Sequence, residues 1–510
     1  MHLSYKTAKY KGTIYKSYSI AESYREGTKV KKRIIYPIGK LTDIQARGIR
    51  LICKAISDPK IIVTALDDIV VQESKPFLDL AVVNALWEQW SFSSAFVNNI
   101  NESGLSTSTV AKVLTINRCV CPYYPYSIPQ WAHTTALSEV FGQRLEKLDD
   151  EKIYYELGKI AENQNKLEDH LFRITYDRSG YIFVYYYLFS SYFVGTRCEC
   201  SGYGRNKDKQ LALGILANNK GYPFKLDIYP GNTAEVDTLV NNVDIYKRRF
   251  KLNNITMVLD QGSYNLEHIT HEGLKYISVL DKDQIPYIKG IDLSIFNAHS
   301  FENLKEDFSC HGFASYDEAF YFKDLGVIDN RRYILRLNPL MFKEEKECRN
   351  ENIAYFEDFL LRKNKDKLDG VCILVSNHTE KVNGSFVFPA KQIIKAYLEK
   401  TKIEDGFKSF LKISPFYINT HEHIRAVYTI CVLAYFLNKD LSERRKKIEG
   451  VDYLNTMDLY GPFRHCQYIT LRDKSSNTKK SEPSELSWEQ KQLLKKMGIH
   501  IHMPSKVFSL

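Results

Sequence analysis

The chain has 510 residues and is short of several things. No apolar run approaches the roughly 20 residues that a membrane span requires. The longest, Tyr181–Phe189 and Tyr428–Leu437, have the lengths of core strands or helices. The first residues, MHLSYKTAKYKG, hold no apolar targeting segment. A cytoplasmic protein without membrane contact is therefore expected. Cysteine is sparse and scattered: ten residues, with C-x-C twice and C-x2-C nowhere. Thiolate zinc sites need matched ligand pairs two to four residues apart, so buried, reduced thiols are expected instead. Acid is scarce at the start of the chain, where Glu22, Glu26 and Asp43 face twelve Lys and Arg in the first fifty residues.

What is present is ordinary for a soluble globular protein of several units: 44% hydrophobic and 26% charged residues. The net charge is +10, and nearly all of the excess lies in that first tenth. Such a patch attracts phosphate backbones through counterion release, although an unliganded basic surface has the same composition. Residues 10–38 read as a basic β-hairpin, with Arg-Glu-Gly-Thr as the turn. From about 42 to 165 the periodicity is mostly helical, broken at Ser103-Gly104 and at Pro122, Pro125 and Pro129.

At Leu171 the texture changes. LFRITYD and YIFVYYYLF read as strands, followed by a hairpin of LALGILANN and YPFKLDIYP across a Lys-Gly turn. Gly231-Asn232-Thr233 is expected to cap a helix running to about Phe250. ITMVLD reads as a strand buried on both faces. A helix near 264–273 and the strand KYISVL come next. This order predicts a mixed sheet covered by helices. Residues 282–388 alternate short strands (RRYILRL, GVCILVSN) with charged stretches and read as a mostly β insertion. The helical pattern resumes at Ala390 and runs to Lys439, and a basic tail with loop-like DKSSNTKKSEPSE closes the chain.

Three carboxylates stand in unexpected places. In FRITYD a strand would put Phe172, Ile174 and Tyr176 on one face and end at Asp177. Asp260 ends ITMVLD, at the carboxyl edge where open α/β sheets place their sites. Strand ends also carry Asp simply as a turn-former. Glu404 is the third. In AYLEKTKIEDGFKSFLK, Tyr397, Lys400, Glu404, Phe407 and Leu411 share one helix face. Glu404 there either faces inward for a purpose or pairs with Lys400 or Lys408 one turn away. Gly406 costs roughly 0.5–1 kcal/mol against Ala in a helix, which predicts close approach of another backbone or a ligand. His421-Glu422-His423 has metal-binding residue types but reads as a helix start with exposed histidines.

In order and context these features resemble the DDE transposases of bacterial insertion sequences. The similar branch has a β-rich insertion before the catalytic Glu and a Tyr-x2-Arg/Lys-x3-Glu signature. The resemblance rests on the basic hairpin YKSYSIAESYREGTKVKKRIIYPIGKL, on GYGRNKDKQLALGILANNKGYPFKLDIYPGNTAEVDTL (202–239), and on MVLDQGSYN and LDGVCILVSN. It ends with YLEKTKIEDGFKSFLK followed by HIRAVYTICVLAYFL. These lie in the same order over roughly 400 residues.

The resemblance implies an α/β fold: an RNase H-like mixed-sheet core interrupted by the β insertion, with the basic hairpin and a helical domain in front. Its parts would be 1–60 (basic hairpin), 61–165 (helical, DNA-binding), 166–285 (first core segment), 286–388 (insertion), 389–450 (second core segment) and 451–510 (basic C-terminal region). It implies Asp177, Asp260 and Glu404 as catalytic and metal-holding residues, with two Mg²⁺ ions for which Mn²⁺ can substitute. Tyr397, Lys400 and Lys408 are implied DNA contacts, and Lys31, Lys32 and Arg33 are candidates in the hairpin. Lys400 replaces the usual Arg, giving a point charge rather than a bidentate grip, and Leu411 stands where relatives often have Lys. The expected partners are double-stranded DNA, as element ends and target, and a second copy of the chain in the synaptic complex. The alternatives are a transposase-derived DNA-binding protein and a metal-dependent nuclease.

Overall fold

A computed structural model describes residues 1–58, 61, 63–96, 104–122, 127–176, 182–192, 202–203, 209–230, 242–252, 255–259, 273–280, 312–317, 320–338, 340–341, 344, 370–410, 420–451, 453, 455–504 and 506–508. They pack as two units. One holds Met1–Lys75, Gln467–Ser484 and Met503–Leu510, and the other holds Pro76–Cys466 and Glu485–His502.

The first unit begins with three antiparallel strands in sequence order, β1 (His2–Tyr10), β2 (Thr13–Glu26) and β3 (Lys29–Gly39). The predicted hairpin is β2–β3, and Gly27 takes the left-handed conformation (φ 62°) that its turn requires. β1 was not foreseen, because KTAKYKG is polar and mostly exposed. Helix α1 (Asp43–Ser57) starts at a capping box in which Thr42 and Gln45 satisfy each other's backbone N–H groups. Strand β4 (Ile69–Pro76) edges a second sheet formed with Gln467–Asp473, Lys479–Pro483 and Lys506–Phe508. The stretch expected to be a loop, DKSSNTKKSEPSE, is therefore mostly a hairpin. Asp473 makes its turn by accepting from the backbone N–H groups and hydroxyls of Ser475 and Ser476.

The second unit opens with α2 (Leu78–Gln89), α3 (Thr107–Val120), α4 (Ile128–His133), α5 (Leu137–Phe141), α6 (Asp150–Glu162) and α7 (Gln164–Thr175). Then come β5 (Ile182–Tyr192), β6 (Gly202–Tyr203), β7 (Lys209–Asn218), β8 (Pro223–Pro230), α8 (Val243–Phe250), β9 (Ile255–Val258) and β10 (Lys275–Val279). Residues 286–388, expected to be a mostly β insertion, contribute β11 (Ala314–Tyr316), β12 (Phe320–Ile328), β13 (Arg331–Leu337), β14 (Val371–Ser376) and a short pair, β15 (Lys381–Val382) and β16 (Ser385–Phe386). Helices α9 (Ala390–Phe410), α10 (His421–Glu449), α11 (Thr456–Tyr460) and α12 (Trp488–Met497) follow.

Ten strands form one mixed sheet in the order β11-β12-β13-β14-β10-β9-β5-β7-β6, with β8 also on β7. β9 is parallel to both β5 and β10, and all four of its residues are buried, as a two-sided strand must be. β7 is antiparallel both to β5 and to its hairpin partner β8. Strands β11 to β14 continue the same sheet through the antiparallel β10–β14 pair. Helix α10 is buried along most of its length and packs on α3 and α6.

One predicted strand is a helix. FRITYD does not extend from Phe172. Residues through Thr175 complete α7, and only Tyr176 is extended. Leu167 and Leu171, one turn apart and each 1% exposed, form its buried stripe. Phe172 packs on Phe224 and Phe250 at 5.2 and 4.9 Å between centroids. Asp177, Asp260, the cap at 231–233, the helix near 264–273, Leu411 and most of KEEKECRNEN and LRKNKDKLDG lie outside the described residues.

Candidate functional site

Strand alternation puts Phe183, Tyr185 and Tyr187 on one face of β5. Helix α9 crosses that face and also packs on β9 and β10. Two phenols tie the helix down. Tyr187 Oη donates to the carbonyl of Lys400 at 3.0 Å, and Tyr185 Oη donates to Glu399 Oε2 at 3.2 Å. Burial, then the Glu399 charge, raises the Tyr185 pKa far above the ordinary phenol value, so this group stays a donor.

Next to these anchors on the helix lies an ion pair. Lys400 is 1% exposed, and its Nζ sits 4.8 Å from the centroid of the Tyr187 ring. Glu404 Oε2 is 3.5 Å from the same Nζ, and the Glu404 side chain is 18% exposed. A buried ammonium is costly unless compensated, and a carboxylate and an aromatic face supply that here. Glu404 therefore does turn toward the protein, against Lys400. Lys400, expected beside phosphates, is packed inside. Tyr397 is half-buried and its carbonyl accepts from Thr401. Lys408 is on α9, its side chain outside the described residues.

Gly406 has a packing reason. A Cβ there would lie 3.2 Å from Tyr435 Cε2 and 3.3 Å from Oη of that residue. The Tyr435 ring is held by stacking on Phe407, 4.0 Å between centroids. The close approach is thus by a ring of α10, not by the backbone or ligand the sequence led us to expect. Ile403 fixes the other flank of Glu404. A Cβ on Gly221 (φ 81°), in the β7–β8 turn, would lie 2.7 Å from Ile403 Cγ1. Asn218 organises that turn: its Oδ1 accepts from the N–H groups of Lys220 and Tyr222, and its Nδ2 donates to the Thr175 carbonyl at 3.0 Å. The end of α7 and the Glu404 segment thus meet at one turn. On the other side, Tyr185 is in parallel register with Val258, and the N–H of Leu259 donates to the Ile277 carbonyl at 2.9 Å.

Tyr185, Tyr187, Glu399 and Asn218 were missed from sequence. The alternation within YIFVYYYLF was the available signal for the two tyrosines. His421 and Glu422 are exposed at the start of α10, capped by Thr420, so this motif is the predicted helix start. Lys31, Lys32 and Arg33 are exposed on β3. Cys53, Cys119, Cys431 and Cys466 are buried free thiols. Among the described residues no group of three His, Cys, Asp or Glu is placed to hold a metal, and no helix is long and apolar enough to cross a membrane.

Comparison with known proteins gives a family match over the first part of the chain and distant structural neighbours, among them two transposase complexes. Residues 3–61 match the family model described as IS1634 family transposase, N-terminal domain. No curated protein matches the chain. A piggyBac transposase synaptic complex with hairpin DNA is similar at 11% identity and TM-score 0.37, covering 77% of this chain and 83% of that one. The Drosophila P element transposase strand transfer complex is similar at 13% identity and TM-score 0.20, covering 73% and 89%. Both TM-scores fall below 0.5, so neither neighbour defines the fold.

Proposed function

We propose that this chain, whose residues 3–61 match the N-terminal domain of IS1634 family transposases, is a DDE-type DNA transposase with Asp177, Asp260 and Glu404 as its catalytic carboxylates. The observation that carries the reading is the setting of Glu404: an inward carboxylate on a helix laid across β5, β9 and β10. Asp260 is the next residue after Leu259, at the carboxyl end of a parallel strand, where open sheets place their chemistry. Asp177 follows Tyr176, just after the Thr175 carbonyl that Asn218 holds beside the Ile403 turn. The mixed sheet, continued by insertion strands before the Glu helix, suits an RNase H-like core.

Three carboxylates are an all-oxygen donor set, which fits Mg²⁺ and Mn²⁺ better than softer metals. Asp177, Asp260 and Glu404 would hold two such ions, which when bound supply an activated water and a stabilised leaving oxygen for phosphodiester chemistry. The chain's own groups do the rest. Lys400 balances the Glu404 charge from inside the protein. Tyr185 and Tyr187 fix the helix that carries both. The basic N-terminal unit binds duplex DNA, and two copies of the chain pair the element ends.

The test is incubation of the purified protein with Mg²⁺ and labelled duplexes from the two flanks of its reading frame. Cut ends joined to a second duplex are expected. Cuts without joining would favour a nuclease, and binding without cutting a DNA-binding descendant. Asp177→Ala, Asp260→Ala and Glu404→Ala should each abolish cleavage and leave binding within about tenfold, because affinity comes mainly from basic contacts elsewhere. Retained cleavage in any one of them removes that residue from the site.

A further inference from the structure

Strand β1 stops pairing with β2 at the His2–Ala21 pair. Beyond it β2 and β3 continue alone for five more pairs, from Glu22–Arg33 to Glu26–Lys29. This two-stranded ribbon is roughly 15 Å long at about 3.3 Å per residue. Nearly all of it is exposed; only Glu22 is intermediate. It carries Arg25, Lys29, Lys31, Lys32 and Arg33 against Glu22 and Glu26.

The charges are not shared equally between its faces. Paired residues in an antiparallel ladder lie on the same side, and sides alternate along each strand. One face therefore holds Glu22, Tyr24, Glu26, Lys29, Lys31 and Arg33. On it Arg33 pairs with Glu22 at 3.0 Å, and Lys31 pairs with Glu26. The other face holds Ser23, Arg25, Val30 and Lys32. It has two cations, one hydroxyl, one apolar side chain that is 67% exposed, and no carboxylate. Lys32 Nζ donates to Ser4 Oγ, which directs its stem along this face.

We propose that this carboxylate-free face of the β2–β3 ribbon enters the major groove of duplex DNA and reads base edges there. The groove is about 12 Å wide and admits a two-stranded β-ribbon. The side chains suit it: Arg25 for guanine O6 and N7, Ser23 for either kind of edge, and Val30 for a thymine methyl. Lys32 sits where the ribbon joins the sheet and serves the flanking phosphate. The opposite face turns outward, its acids neutralised by Lys31 and Arg33. The proposal deepens the DNA-binding part of the transposase reading and assigns the sequence-reading role to Arg25 rather than to the Lys31-Lys32-Arg33 run.

The experiment uses the full-length chain without divalent metal. A preferred duplex is first selected from a random pool, and the affinities of four variants for it are then measured at constant salt. Arg25→Ala should weaken binding at least about tenfold and relax the preference at one position, as loss of a bidentate base contact does. Lys32→Ala should weaken binding to all sequences alike and lower its salt dependence. Lys31→Ala and Arg33→Ala should change affinity less than about threefold, a size typical of rim charges. Methylation of guanine N7 in the selected site should block binding, whereas a minor-groove ligand should not.

Wild-type binding by Arg25→Ala, loss confined to the Lys31 and Arg33 variants, or block by the minor-groove ligand would each overturn the proposal. All four variants are at exposed positions, and unchanged melting checks that they fold. Because binding is read without metal, a chain that reads DNA through Arg25 yet never cuts would overturn the transposase reading alone. One that cuts and joins normally with Arg25→Ala would overturn the ribbon alone.

Discussion

Glu404 shows how far one residue's environment was readable. Its place on an apolar face was evident from spacing in α9. That its partner within the described residues is Lys400, buried over Tyr187, was only one of the alternatives sequence left open, because helical spacing does not tell which of two lysines one turn away turns inward. His378 was not singled out at all. It follows β14, is 3% exposed, meets Thr256 Oγ1 at 2.9 Å and stacks on Phe388 at 4.4 Å between centroids. Burial, then the nearby Lys275 charge, lowers its pKa to about 4. A histidine kept neutral in the fold takes up its proton on unfolding from pH 6.5 downward. Its neutral form therefore stabilises the protein above pH 6.5, and that contribution is lost as the pH falls toward 4. The full loss amounts to about 3 kcal/mol at 1.36 kcal/mol per unit. Urea unfolding at pH 7 and pH 4 should show the wild type losing about that much more than His378→Gln. Parallel losses in the two proteins would contradict the assignment.

At the scale of elements, the β7–β8 hairpin, β9, β10, β13, β14 and α9 were legible because each shows one clear period bounded by turn residues. Helix α7 was misread for a physical reason. Phe172, Ile174 and Tyr176 alternate like a strand, while Leu167 and Leu171 recur like a helix, and the second pattern carries the burial. What fixes α7 is polar and invisible to a hydrophobic pattern. Glu168, 3% exposed, accepts from Gln164 Nε2 at 2.8 Å, Lys225 Nζ at 3.2 Å, the N–H of Leu226 at 3.2 Å and Arg249 Nη1 at 2.7 Å. This one carboxylate joins α7 to β8 and α8, directly before the segment that contains Asp177. Glu168→Ala takes four accepted hydrogen bonds from the network but leaves Lys225 with Asp227, 2.6 Å away, so it should cost about 1–3 kcal/mol, the range for buried donors left unsatisfied. Chemical denaturation checks it, and a loss under about 1 kcal/mol would show that the network is not what holds the helix.

At the scale of the whole molecule, the class of protein was legible from the order of short motifs, and the matching of residues 3–61 to a transposase N-terminal domain agrees with it. The closure of the first unit was not legible. Thr64 donates to Asp473 at 3.0 Å, and the Lys474 N–H donates to the Asp68 carbonyl at 2.9 Å, contacts between segments some 400 residues apart in sequence. Polar, half-buried strands carry too weak an alternation to announce such partners. The proposed site is likewise one of convergence, in which Asp177, Asp260 and Glu404 would share one metal pocket. Loading the DNA-bound protein with Fe²⁺ in place of Mg²⁺, then adding ascorbate and peroxide, cuts the backbone where the metal sits. Scission is expected near all three residues, lost together in Glu404→Ala and suppressed by excess Mg²⁺. Scission at only one of the three places, or scission that persists in Glu404→Ala, would contradict it.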